Sequence, residues 1–167
     1  LAADLTPPSS PVDNAPFIDE VRLGGMAHAP WSPEAGGVDL NAEVLFAKPW
    51  GTADEWWLPR PHVGTTINFD GKTSTVYAGA TWQYNITSWA FVEASFGGSL
   101  NNGETQDLHN DTNPLGCHAL FRESASLGYN LTEHWRIMAT AEHSSNAGLC
   151  DYNRGLTNYG IRVGYKF

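Results

Sequence analysis

From Phe17 onward the chain alternates apolar and polar residues in short stretches that end in turn-forming clusters, with no convincing helical period. Val38, Leu40, Ala42, Val44 and Phe46 alternate with Asp39, Asn41 and Glu43. Val76, Ala78, Ala80, Trp82 and Tyr84 alternate with Thr75, Gly79, Thr81 and Gln83. Tyr159, Ile161, Val163, Tyr165 and Phe167 alternate with Gly160, Arg162, Gly164 and Lys166. The pattern predicts eight strands, near 17–28, 37–48, 60–69, 74–84, 89–100, 117–129, 135–146 and 157–167. Successive side chains on a strand point to opposite faces, so each segment has one apolar and one polar face.

Eight strands of about 9–11 residues suit the smallest transmembrane barrel, and a soluble lipocalin-like barrel has the same count. What separates them is the direction of the apolar face: inward in the soluble barrel, toward lipid in the membrane barrel. Here the second face carries Glu43, Arg122, Arg136, Glu142 and Arg162, charges that can pair inside a polar lumen. The sequence therefore predicts an all-β protein, an eight-stranded antiparallel transmembrane β-barrel over residues 17–167. Composition agrees. Seven Trp, six Tyr, seven Phe and 17 Gly stand beside nine basic residues in a chain of 167, a mixture suited to a sheet with aromatic girdles. No apolar run approaches the roughly 18–20 residues of a membrane-spanning helix. The net charge of −9 has the wrong sign for a nucleic-acid binder.

Two connections, Tyr84-Asn85-Ile86-Thr87-Ser88-Trp89 and Tyr129-Asn130-Leu131-Thr132-Glu133-His134-Trp135, are alike and fall on the same rim of an up-and-down barrel. With Trp50, Trp56, Trp57 and Trp82 nearby, that rim gathers most of the tryptophans, as an interfacial belt requires. The sequence stops inside its last strand at Phe167, with aromatics at alternate positions. This ending resembles that of bacterial outer-membrane barrels, which implies delivery by the barrel-assembly machinery. Residues 1–16, with Pro7, Pro8, Pro11 and Pro16, read as an extended tail outside the fold. The opening Leu1-Ala2-Ala3 reads as a mature chain after secretory processing, or as a trimmed one.

The candidate chemistry lies on the seventh segment, which runs outward if both termini are periplasmic. Its apolar face reads Trp135, Ile137, Ala139 and Ala141, then ends in His143 and Ser145. Residues two apart on a strand point the same way at about 6.6–6.8 Å between Cα atoms, close enough for a Ser–His nucleophile pair. The same two residues could also mark only where the strand leaves hydrocarbon for headgroups, and strand geometry alone favours that blander reading.

The local sequence shifts the balance. Glu142-His143-Ser144-Ser145-Asn146-Ala147-Gly148, followed by Asn153-Arg154-Gly155 and the final strand, resembles the lipid A 3-O-deacylase (PagL) family. The specific likeness covers roughly the last 30 residues. It implies an outer-membrane barrel of a Gram-negative bacterium with a lipid-facing His-x-Ser-Asn motif and no metal or other cofactor. Its implied activity is hydrolysis of the 3-O-linked acyl ester of lipid A. By position, the resemblance makes Ser145 the nucleophile, His143 its general base and Asn146 a contributor to oxyanion stabilisation.

One position departs from the family. A glutamate that orients the histidine is replaced by Thr157, which shares the face of Tyr159 and Ile161 and brings no charge. Two acids are candidates to substitute: Asp151 in the adjoining loop, and Glu123, on a strand face with Phe121, Ala125 and Leu127. Pairing Tyr129 with Trp135 across the turn places Phe121 opposite His143 and Glu123 one diagonal away. A register error or a local lumen-facing twist is the alternative account of Glu123, while Glu142 points to the lumen. The rival function is a non-enzymatic structural or interaction barrel that keeps the scaffold without its acid; an esterase or phospholipase for another outer-membrane lipid is a third.

The partners implied are lipid A or lipopolysaccharide in the outer leaflet, with a homodimer or another membrane protein left open. Glu104, Asp107 and Asp111 in loop 101–116 could hold a divalent cation, although a solvated loop fits their spacing better. Cys117 begins the sixth predicted strand and Cys150 lies just beyond the seventh, its neighbour, so the two fall near one rim, which predicts a disulfide.

Overall fold

The computed structural model describes residues 16–52 and 55–167. The tail expected over residues 1–16 thus lies, except for Pro16, outside the described residues. The strands are β1 (Ile18–Ala27), β2 (Val38–Phe46), β3 (Arg60–Asn68), β4 (Thr75–Asn85), β5 (Ala90–Asn101), β6 (Ala119–Asn130), β7 (Trp135–Ser145) and β8 (Leu156–Lys166). They form a closed barrel in chain order, antiparallel throughout, with β8 returning to β1.

The period-two pattern fixes which side chains turn inward. Arg22, Glu43, Arg122, Arg136, Glu142 and Arg162 are buried in the lumen, while Leu127, Ile137, Ile161 and Val163 are exposed on the outer wall. A buried charge is tolerable only when paired and hydrogen-bonded, and these are. Arg22 donates to Glu20 at 2.7 Å, Glu93 at 2.8 Å and Glu43 at 3.0 Å. Arg60 spans Asp19 at 2.6 Å, Glu20 at 2.8 Å and Glu93 at 2.8 Å. Arg162 meets Glu43 at 2.9 Å, and Arg122 meets Glu142 at 2.6 Å while lying over the Tyr77 ring. The polar faces of all eight strands thus cross-link one another through the lumen.

The ends of the barrel differ. One end carries the first and last strand ends together with the connections 47–59, 86–89 and 131–134. Its aromatics pair with one another: Trp56 with Tyr84 and Trp135 with Tyr165 edge to face, and Trp89 with Tyr129 tilted. The repeated Asn-x-Thr sequences here build the same turn twice. Ile86 and Thr87 N–H both donate to the Ala90 carbonyl, as Leu131 and Thr132 do to Trp135. Thr87 and Thr132 accept in turn from the N–H groups two and three residues on.

This turn corrects the predicted register. Asn130 pairs with Arg136 and Tyr129 with Ile137, not with Trp135. The threonine-capped turn absorbs Leu131–Trp135, so β7 slides by two residues and Glu123 comes directly opposite His143. A two-residue slide keeps every side chain on its face.

The other end is closed by the connections 28–37, 69–74, 102–118 and 146–155. Ala29, Leu115, Leu120 and Leu156 form a small apolar plug there, joined by Cys117. His28 is buried beneath it, with Nδ1 2.8 Å from Asp39 and Nε2 3.8 Å from Glu34. Burial disfavours its charged form, but the two carboxylates outweigh that cost and hold its pKa up at about 9. Lys72 Nζ donates to the carbonyls of Glu34, Ala35 and Gly36, fastening the first loop to the second.

Candidate active site

At this loop end, three adjacent strands bring the candidate residues together on the outer wall. β7 supplies His143 and Ser145; β8 places Thr157 directly opposite His143, and β6 places Glu123 on its other side. Phe121 lies across from Ser145. His143 and Ser145 are half-buried, and Glu123 is exposed on the lipid-facing surface.

The imidazole is held by Thr157. Its Nδ1 lies 2.7 Å from Thr157 Oγ1. When Nδ1–H donates to that oxygen, the ring lone pair sits on Nε2, the tautomer a general base needs. The Cε1 corner of the ring is backed by Gly155, which is buried and has φ of 73°. A Cβ there would come within 2.7 Å of His143 Cε1 and 3.3 Å of Nε2. Glycine is therefore required twice, by the left-handed backbone and by the ring against it. Ser145 Oγ makes no hydrogen bond among the described residues, to His143 or to any other side chain. Hydrogen bonds of this kind often tighten only when substrate is bound. Glu123 and His143 face each other without an ion pair.

Asn146 is differently employed. Its side-chain N–H groups donate to the carbonyls of Leu115, at 2.8 Å, and Tyr152, and its Oδ1 accepts from Gly148 N–H at 2.8 Å. Its backbone N–H donates to Asn153 Oδ1 at 2.9 Å. The side chain thus ties the loop after β7 to the segment before β6. Gly116, with φ of 77°, permits that approach, since a Cβ there would strike the Tyr152 carbonyl and Asn146 Nδ2. Cys117 and Cys150 are disulfide-bonded across the same junction, with Cα atoms 6.2 Å apart.

Beside Ser145 the outer wall is hollowed into an apolar groove of about 440 Å³, bounded by Phe96, Gly98, Ala119, Phe121 and Leu149. Phe96 and Phe121 stack at 6.1 Å between centroids. This groove was not legible in the sequence, because it depends on the β5–β6 register. Asn153 and Gly155 were visible only as part of a motif; their packing against Asn146 and His143 is tertiary.

The remaining candidates lie elsewhere. Asp151 is exposed and makes no hydrogen bond to His143. Glu142 points into the lumen, to Arg122, Thr66 and Asn158. Glu104 is occupied by His109 and Thr112, and no cluster of three metal-ligating side chains occurs among the described residues.

The chain is similar to several solved barrels. A crystal structure of the outer membrane enzyme PagL superposes with a TM-score of 0.63 at 17% identity, covering 90% of this chain and 99% of that one. A de novo designed transmembrane β-barrel gives 0.58 at 14% identity, with 92% and 98% covered. Neisserial surface protein A gives 0.53 at 10% identity, with 93% and 100% covered. At such identities these likenesses establish the fold. No curated protein sequence matches the chain. The family model described as lipid A 3-O-deacylase (PagL) matches residues 34–166, from the first loop to the end of β8 and across every residue of the site. With that match and this barrel, the chain belongs to the lipid A 3-O-deacylase (PagL) family.

Proposed function

We propose that this barrel sits in the outer membrane of a Gram-negative bacterium, loop end outward, and hydrolyses the 3-O-acyl ester of lipid A through Ser145 and His143. The observation that carries the reading is the His143–Thr157 hydrogen bond on the lipid-facing wall, beside Ser145 and an apolar groove. A histidine fixed by its Nδ1 and open at Nε2 has little structural purpose on such a surface.

Ser145 Oγ attacks the ester carbonyl while His143 Nε2 takes its proton. The tetrahedral intermediate collapses with loss of the sugar hydroxyl, to which the imidazolium returns that proton. Water, deprotonated by the same imidazole, then releases the fatty acid and regenerates Ser145. The groove between Phe96 and Leu149 receives the acyl chain, which never has to leave the apolar phase. Asn146 acts by position: its hydrogen bonds to Leu115, Tyr152 and Gly148 shape the backbone around the oxyanion.

Thr157 orients the ring but supplies no negative charge for the imidazolium. We assign that charge to Glu123, whose strand position is directly opposite His143. A hydroxyl orienter with a lateral acid predicts a working but slow enzyme. The test is fatty-acid release from lipid A by the purified barrel in detergent. Wild type should release one ester-linked chain, and Ser145→Ala and His143→Ala should each reduce the rate by at least about 10³-fold. Equal release by wild type and Ser145→Ala would remove the Ser–His reading.

A further inference from the structure

The charge inventory of the loop end singles out one residue. All nine lysines and arginines lie among the described residues. Arg22, Arg60, Arg122, Arg136 and Arg162 are buried in the lumen. Lys48 and Lys166 are at the opposite end of the barrel. Lys72 spends its ammonium on three loop carbonyls at 2.8–2.9 Å. That leaves Arg154, which is exposed and whose guanidinium makes no hydrogen bond or ion pair among the described residues. His143 of the site apart, the histidines of this end are engaged. His28 is buried between Asp39 and Glu34, His109 is held by Glu104 at 2.6 Å, and His118 Nδ1 is 3.1 Å from the Asn101 carbonyl.

The surroundings of Arg154 are otherwise acidic, with Asp70, Glu104, Asp107, Asp111 and Asp151 on the same loops. An anionic headgroup approaching this rim meets repulsion except near Arg154. The residue is also well placed and rigidly presented. It precedes Gly155, which backs the His143 ring. Its own N–H donates to the Pro114 carbonyl at 3.2 Å, Asn153 beside it accepts from Asn146, and Cys150 anchors the loop from the other side. A guanidinium pairs with a phosphate through two parallel N–H···O bonds, a geometry that orients as well as attracts.

We propose that Arg154 binds a phosphate monoester on the sugar of the glycolipid being cleaved, setting which ester reaches Ser145. This rests on the deacylase reading, and makes Arg154 a specificity residue and not part of the proton-transfer machinery. The ligand is the phosphate on the same sugar ring as the scissile ester, which makes its source the substrate itself and not a neighbouring anionic lipid.

The experiment compares wild type, Arg154→Gln and Arg154→Lys on two substrates, bisphosphorylated lipid A and lipid A lacking its anomeric phosphate, each diluted in neutral detergent to one molecule per micelle. Arg154→Gln should raise KM for the phosphorylated lipid on the order of 10- to 100-fold, with kcat nearly unchanged. It should have no effect on the dephosphorylated lipid or on a neutral nitrophenyl fatty ester, and Arg154→Lys should recover part of the loss. Binding of the same lipids to Ser145→Ala, with and without Arg154→Gln, reads the phosphate preference without turnover. Absence of turnover, together with a phosphate preference in binding that Arg154→Gln abolishes, would overturn the deacylase reading and leave Arg154 as a phosphate-binding residue only. Equal losses on both lipids, no loss on either, or rescue of the dephosphorylated substrate by added phosphatidylglycerol would overturn the assignment of Arg154.

Discussion

At the scale of the residue, the site turns on what holds one imidazole. Thr157 offers His143 a hydroxyl at 2.7 Å, which fixes the ring but cannot balance the charge it acquires. Replacing the acidic member of a Ser-His-Asp triad by a neutral group costs about 10⁴ in kcat in the serine-protease example. Thr157→Glu should therefore raise kcat, by at least about tenfold, and Thr157→Val, which removes the hydroxyl, should lower it. Initial rates of fatty-acid release measure both, and no gain from glutamate would mean that the charge is already supplied. Glu123→Gln addresses that supply. It should reduce kcat several-fold while leaving the unfolding midpoint unchanged, because the exposed carboxylate makes no ion pair in the barrel; an unaltered kcat would exclude it. The motif itself was legible in the sequence because i, i+2 spacing on a strand places His143 and Ser145 on one face whatever the register. The opposition of Glu123 to His143 was not, since it depends on how many residues the Leu131–Trp135 turn absorbs.

At the scale of the element, the loops of the site end are tied down by specific devices, each with its own test. The Cys117–Cys150 bridge closes a separation of 33 residues. By the loop-entropy model it contributes roughly 3–4 kcal/mol. The double Cys→Ser variant should lose about that much stability in denaturant titration and also lose activity, because the bridge borders the groove and the Asn146 loop. Full activity in that variant would separate the bridge from the site. The first loop depends on His28, whose folded pKa of about 9 lies above the ordinary 6.5. A raised folded pKa stabilises fully below the unfolded value, so this contribution is complete below pH 6.5 and fades as pH climbs through 9. Amide exchange at residues 28–37 should therefore accelerate between pH 6.5 and 9 beyond its intrinsic base catalysis, and His28→Gln should abolish the excess. Strand boundaries were readable from alternation to within about two residues, whereas these fastenings were not, because His28 meets Asp39 and Glu34 only once the first loop folds back.

At the scale of the whole molecule, the sequence pattern dictates a barrel turned inside out relative to a soluble one. The lumen holds a continuous ionic network and the wall presents Leu, Ile, Val and Phe to its surroundings. A rim of tryptophans marks one end, and four loops enclose the other. On such a body His143 and Ser145, the proposed reactive pair, lie on the outer wall, within reach of a lipid that stays in its leaflet. Fold class followed from polarity alone; activity does not, since the same scaffold without catalysis would keep every strand, every lumenal ion pair and the disulfide. The deciding measurement is mass spectrometry of lipid A from Gram-negative cells expressing wild type or Ser145→Ala at equal levels in the outer membrane. On the deacylase reading, cells with wild type lose the mass of one ester-linked 3-O-acyl chain and cells with Ser145→Ala keep an intact profile. Unchanged lipid A in cells carrying well-folded wild-type barrel would contradict it and leave a structural or interaction protein in its place.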